Sequence, residues 1–387
     1  MQKIIKIDTF ASVIFSLLLL LTIVTRVADI PFIRVVGKYT LVIFMAWLFV
    51  SILSKKFFSK KEVFLFLPLI LFNVIYVVNS KTLKDSDALL LILNHAIFFV
   101  ALYIFSNITW TKFQVKLLSS LFYVSFPILL AISFVATDVL NKNTIGAYSF
   151  LLAFFPLLYL IGYSKNLKRT HVLLIFILTA IIVFASDSRS ILISAFFTLL
   201  TFIAWRFITS KKMIFNLYFL LIIGISYWFV VVWPKAYTWK YFYVLDDLSI
   251  KLTNKGLLTG RERIWERLVE YITQKPLLGY GSTTVQSDFV TSELSAHNMF
   301  IQIGLQTGLV GIFLLVLFFF FAWKTFWLNR FDRKIKLASS FLIGIIVYQL
   351  FEVTLTQNLF GLGLLQWIII GLGLSFSLNK IDKTEST

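Results

Sequence analysis

The sequence predicts an all-α polytopic membrane protein of about twelve transmembrane helices, and three observations carry that prediction. Hydrophobic residues make up 59% of the 387-residue chain and charged residues only 14%, against roughly 25% charged in an average soluble protein. Apolar runs of about 15 to 25 residues recur from end to end, the length a helix needs to cross a bilayer. Lysine and arginine collect on alternate connections between those runs. This composition excludes a soluble globular enzyme, a disordered chain and a fibrous repeat. The chain has no cysteine, which also excludes disulfides, thiolate metal sites and a cysteine nucleophile.

In chain order the spans lie near 9–25, 39–54, 63–79, 88–106, 115–136, 145–163, 172–185, 190–208, 213–233, 299–323, 338–355 and 359–378. The first follows Lys3 and Lys6 and lacks a convincing small-x-small cleavage site after it, so it reads as a retained span. With the N-terminus inside, 21 basic residues fall on the inner side and seven on the short outer loops. That asymmetry places both termini in the cytoplasm. The net charge of +18 is accounted for by topology and gives no reason to invoke nucleic acid. The chain divides into spans one to nine (1–233), a long extracytoplasmic segment (234–298), spans ten to twelve (299–378) and a polar cytoplasmic tail (379–387).

The long segment is the exception among short connections, and a loop of that length inside a helical bundle is functional or disordered. It carries helix signals, which favour function. Thr259 and Glu262 have capping-box spacing, so a helix begins near Gly260, and Pro276 ends it. On that helix Arg261, Trp265, Leu268 and Ile272 share one face at steps of three and four. Trp265, Leu268, Val269 and Ile272 make the face apolar, so it lies on the membrane or the bundle, with Arg261 at the bundle mouth. Arg263 and Arg267 have acidic residues three positions on, Glu266 and Glu270, and solvated ion pairs account for both. Pro276-Leu277-Leu278-Gly279-Tyr280-Gly281 marks a sharp turn that lets the backbone approach something closely.

His297-Asn298 stands directly before the tenth span. Asn298 is a candidate helix N-cap, and the helix N-terminus favours an anion nearby. A histidine at this lip can take a proton. Gly304, Gly308 and Gly311 follow at a spacing that permits close helix packing. A third element, Ser186-Asp187-Ser188-Arg189-Ser190, is a very short outer turn. Arg189 is held there at the mouth, or it snorkels to headgroups, and Asp187 is a possible partner for it. Two arginines grip a diphosphate through charge-assisted bonds and stabilise it as it leaves, while a histidine deprotonates an attacking hydroxyl. Within the spans ionisable residues are few. His95 reads as a neutral histidine hydrogen-bonded between helices. Glu352 either snorkels to water or faces the outer cavity and holds a basic residue.

As an ordered set, Gly260-Arg261-x-x-x-Trp265, Pro276-Leu277-Leu278-Gly279-Tyr280-Gly281, His297-Asn298 and Gly304/Gly308/Gly311 resemble the O-antigen ligase and polysaccharide polymerase superfamily. Asn141-Lys142-Asn143 before the sixth span and Ser188-Arg189-Ser190 before the eighth resemble it too. The resemblance covers roughly residues 135–375. It implies a C-type glycosyltransferase fold in the bacterial inner (plasma) membrane. It also implies transfer of a glycan from undecaprenyl diphosphate to a sugar hydroxyl of a glycolipid or lipid-linked glycan, with no nucleotide sugar, cofactor or metal. By that resemblance Arg189, Arg261 and His297 are the candidate catalytic residues, and Arg263, Trp265, Gly279, Gly281 and Asn298 are candidate substrate-binding residues. The residues agree with metal-free chemistry: the short first outer loop holds only Asp29, and Asp246-Asp247 reads as a solvated turn, a poor hard-cation site. A ligase and a polymerase share this donor chemistry, and the span count with the long loop after span nine favours the ligase. A transporter is disfavoured by the sparse charge in the spans and by the lack of interrupted spans at matching positions in two halves.

Overall fold

The computed structural model describes residues 9–27, 31–53, 59–80, 86–135, 142–164, 169–253, 256–257, 261–290, 297–357 and 359–384. All regular secondary structure among them is helical. The helices are α1 (Thr9–Val27), α2 (Pro31–Leu53), α3 (Lys60–Val78), α4 (Ser86–Asn107), α5 (Lys112–Val135), α6 (Lys142–Leu152), α7 (Phe154–Tyr163), α8 (Arg169–Ala185), α9 (Arg189–Ile208) and α10 (Lys212–Val231). They continue with α11 (Phe242–Thr253), α12 (Arg261–Gln274), α13 (Met299–Trp327), α14 (Arg333–Tyr348) and α15 (Phe360–Thr384). Eight stretches among the described residues are long and apolar enough to cross a membrane, and Ala11–Thr22, Val35–Ser51 and Arg169–Ala185 are shorter apolar helices. The protein is a polytopic helical membrane protein, and its helices follow the expected spans closely.

Two spans depart from simple rods. The sixth is divided at Ala153 into α6 and α7. Pro156 explains the break, because it has no N–H to give to the carbonyl four residues back. The eleventh stops at Tyr348 instead of running to 355. Residues 349–357 form a compact turn in which side chains replace the helical bonds. Gln349 accepts from the Leu355 N–H at 3.0 Å and donates to Gln366 at 3.1 Å, and Gln366 donates to Thr354 at 2.8 Å. Phe351, Val353 and Leu355 stay apolar through the turn, so hydropathy alone reads it as more span.

The centre of the bundle is built by α14 and α15. Residues 337–348 of α14 are all buried, and α15 packs against α4 and α14. Helices apolar all round belong in an interior or a membrane. By contrast α9 and α10 turn Phe196, Ile203, Phe207, Leu217 and Leu221 outward, as lipid-facing helices do. Segment 234–298 caps one face of the bundle through a 3₁₀ turn (Trp233–Thr238), α11 and α12.

Candidate functional site

The site is anchored where α13 begins. Asn298 is the N-cap, its side-chain oxygen accepting from the Phe300 N–H at 3.0 Å and the Ile301 N–H at 3.1 Å. Its amide nitrogen donates to the Leu350 carbonyl at 3.0 Å, and the Met299 N–H donates to Gln349 O at 2.9 Å. The start of α13 is thereby clamped to the 349–357 turn. Asn298 is fully buried, beneath the site surface.

His297 rides on this clamp in a left-handed conformation, φ 45°, which is uncommon for a residue with a Cβ. Its Nδ1 lies 3.2 Å from Glu352 Oε2, and Asn143 Nδ2 donates to Glu352 Oε1 at 3.3 Å. Of the two readings of Glu352, the one in which it holds a basic residue matches this geometry. Where Nδ1–H donates to the carboxylate, a neutral imidazole carries its lone pair on Nε2. Both side chains are largely buried, 15% and 9% exposed, so the pair is only partly screened by solvent.

The Arg189 turn packs beside the same end of α6. A Cβ on Gly146 would meet Ser186 Oγ at 2.6 Å and Ser188 Cβ at 3.3 Å, so only glycine admits the turn there. Gly146 is one position short of a full turn from Asn143, on the same helix face. The end of α6 thus meets the Arg189 turn through Gly146 and Glu352 through Asn143. Asp187 at the tip has φ 49°, and it and His297 are the non-glycine residues with positive φ among those described. Backbone strain of this kind gathers at functional sites. Arg189 Nη1 donates to the Gly256 carbonyl at 3.0 Å, which ties the turn to the segment leading into α12.

Helix α12 runs as its face predicts. Trp265, Leu268 and Ile272 are buried, Ile272 against Gly304 of α13 and the Trp265 ring edge-on to Phe229 at 5.6 Å. Arg261 is half-buried and Arg263 exposed. Thr259 and Gly260, the expected capping residues, lie outside the described residues, as does Asn141. The expected pairs Arg263–Glu266 and Arg267–Glu270 do not close within 4 Å among the described residues; Glu266 accepts from Tyr237 Oη at 3.3 Å instead. Asp246 and Asp247 are not in a turn but on α11, where Asp246 accepts from the Leu257 N–H at 2.6 Å and Asp247 pairs with Lys251. Among the described residues no three His, Cys, Asp or Glu side chains gather as metal ligands.

The glycine-rich turn has a specific target. Helix α13 is broken at Gly308, φ 67° and ψ −164°, within the glycine series read from the sequence as a close-packing stripe. The turn fills the break. Tyr280 N–H donates to Leu305 O at 2.7 Å and Gly281 N–H to Gln306 O at 3.2 Å; in return Leu309 N–H donates to Pro276 O at 2.7 Å. Asn79, capping α3, donates to Leu278 O at 2.5 Å and Gln306 O at 2.7 Å. Groups that a broken helix would strand in the membrane are satisfied by this wedge. Gly279 and Gly281, φ 68° and 121°, serve it directly.

An apolar groove of about 410 Å³ adjoins these elements, walled by Val230 of α10, Val269 and Ile272 of α12, and Phe300, Leu309 and Val316 of α13. Deeper in the bundle His95 stacks on Tyr76 at 4.2 Å, and its Nε2 is buried with no hydrogen-bond partner among the described residues.

Residues 174–316 match the family model described as O-antigen ligase. Over that stretch the chain is similar to the O-antigen ligases. No curated protein and no solved structure matches the chain. The matched stretch spans the Arg189 turn, α12, the wedge and His297, and it supports ligase- or polymerase-type function in cell-surface polysaccharide synthesis. Two members of the site, Asn143 and Glu352, lie outside the matched stretch. The sequence marks Glu352 as an ionisable residue near the outer end of its span. It could not supply the partner, because His297 is 55 residues away.

Proposed function

We propose that this protein is an O-antigen ligase-like glycosyltransferase. It moves a glycan from undecaprenyl diphosphate to an acceptor sugar hydroxyl at the outer face of the bacterial inner or plasma membrane. The observation that carries the reading is the His297–Glu352–Asn143 chain beside the Arg189 turn. The apolar groove along α10, α12 and α13 takes the polyprenyl tail, while Arg189 and Arg261 meet the diphosphate. The acceptor oxygen attacks the anomeric carbon, and the bond from that carbon to the diphosphate oxygen breaks. The hydroxyl proton passes to His297 Nε2, and Glu352 stabilises the imidazolium that forms. The leaving diphosphate keeps the electron pair and is stabilised by guanidinium groups.

The test uses purified protein, a fluorescent undecaprenyl-diphosphate oligosaccharide and a gel, with EDTA present throughout. A single shifted band that appears only with a lipid A-core acceptor is the expected result, and EDTA leaves it unchanged. A ladder from donor alone would instead identify a polymerase with the same donor chemistry. Absence of product with either acceptor would overturn the glycosyltransferase reading.

A further inference from the structure

A second site lies at the opposite end of the bundle. Helix α3 reaches the wedge with its C-terminal Asn79, α10 leads into segment 234–298, and α13 starts just after His297. The N-termini of α3 and α10 and the C-terminus of α13 therefore meet on the far face. Between them is a cleft of about 260 Å³. Lys61 of α3, Lys212 of α10 and Lys324 of α13 line it, and no carboxylate is among its lining residues. The apolar wall includes Phe64 and Phe321, whose rings stack at 4.6 Å. Asn216, one turn into α10, also lines the cleft, and its side-chain oxygen is buried with no hydrogen-bond partner among the described residues.

Each feature selects a ligand property. Lysines of three different helices line one volume, whereas snorkelling lysines spread along an interface. Lysines so placed suit a compact anion. An amide oxygen buried without a donor is costly, and a hydroxyl-bearing group beside the anion supplies one. The aromatic wall requires an apolar tail. We propose that this cleft binds an anionic phospholipid: its phosphate among Lys61, Lys212 and Lys324, a headgroup hydroxyl donating to Asn216, and its acyl chain along Phe64 and Phe321. Basic pockets between transmembrane helices hold lipid headgroups in this way. The site is remote from His297 and does not depend on the reaction assigned to it.

The test is lipid binding by the full chain in detergent, read by native mass spectrometry and by the melting midpoint. Phosphatidylglycerol should bind in competition with excess phosphatidylcholine and raise the midpoint, while inorganic phosphate alone should not. Each lysine near an anionic headgroup is worth about fivefold in affinity, so K61Q/K212Q/K324Q together should lose roughly 100-fold. If the triple variant does not purify, the single variants carry the test, each losing about fivefold. Equal binding of the two lipids, a midpoint shift with inorganic phosphate alone, or variants that bind phosphatidylglycerol like the native chain would each overturn the proposal.

Discussion

Replacing His297 with asparagine should lower glycan transfer by about 10²–10⁴-fold, the range for loss of a general base, with the amount of folded protein unchanged. Asparagine is the informative substitution because the position sits at φ 45°, and asparagine tolerates the left-handed region better than most residues with a Cβ. Alanine would add backbone strain to the loss of the base. The companion variant is Glu352→Gln. It keeps the shape and the hydrogen bond to Asn143 but removes the charge that steadies a protonated imidazole. If Glu352 positions His297 and stabilises its charged form, kcat falls by about 10- to 100-fold while KM holds. A purely structural carboxylate would instead shift protein yield and leave kcat alone. Single-turnover kinetics of the two variants beside the native chain separate these outcomes.

Gly308→Ala should cost about 3 kcal/mol or more and deplete the folded protein. The added Cβ would press on the Leu277 carbonyl and lie 2.7 Å from Leu278 N, both backbone atoms of the wedge. The backbone angles of Gly308 are ones that glycine alone reaches without strain. Shifting the wedge would also strand the carbonyls of Leu305 and Gln306 and the N–H of Leu309, which it pairs. The control is Gly224→Ala on α10, where nothing lies within 4 Å of a new Cβ, and it should be neutral or slightly stabilising. Melting midpoints by size-exclusion chromatography after heating compare the two. Equal midpoints would mean that the break in α13 is not a structural requirement.

The extent to which the sequence exposes all this follows from the range of each signal. Span length and apolar runs are local, so α9, α10 and α15 appear at nearly the expected bounds. The buried face of α12 is local too, since Trp265, Leu268 and Ile272 repeat at helical spacing. Asn298 as N-cap needs only its next three residues. What was hidden depends on distant partners. Glycines at 304, 308 and 311 read equally well as a close-packing stripe or as a break, and only the arrival of Pro276–Gly281 decides for the break at Gly308. The ion pairs expected for Arg263 and Arg267 rested on spacing alone, which permits a pair without requiring it. Asp246 goes to a loop N–H eleven residues away, a use that no helical spacing suggests. The polar turn after Tyr348 is concealed by its own apolar residues.

The proposed convergence of Arg189 and Arg261 on one diphosphate is the centre of the proposed mechanism, and a double-mutant cycle on donor affinity tests it most directly. Binding of an undecaprenyl-diphosphate glycan would be measured for the native chain, Arg189→Ala, Arg261→Ala and the double variant. If both guanidinium groups hold the same diphosphate, each single variant weakens binding and the double variant departs from the sum of the two losses, because residues sharing one ligand group are coupled. Additive losses, or single variants that bind donor as the native chain does, would contradict the account.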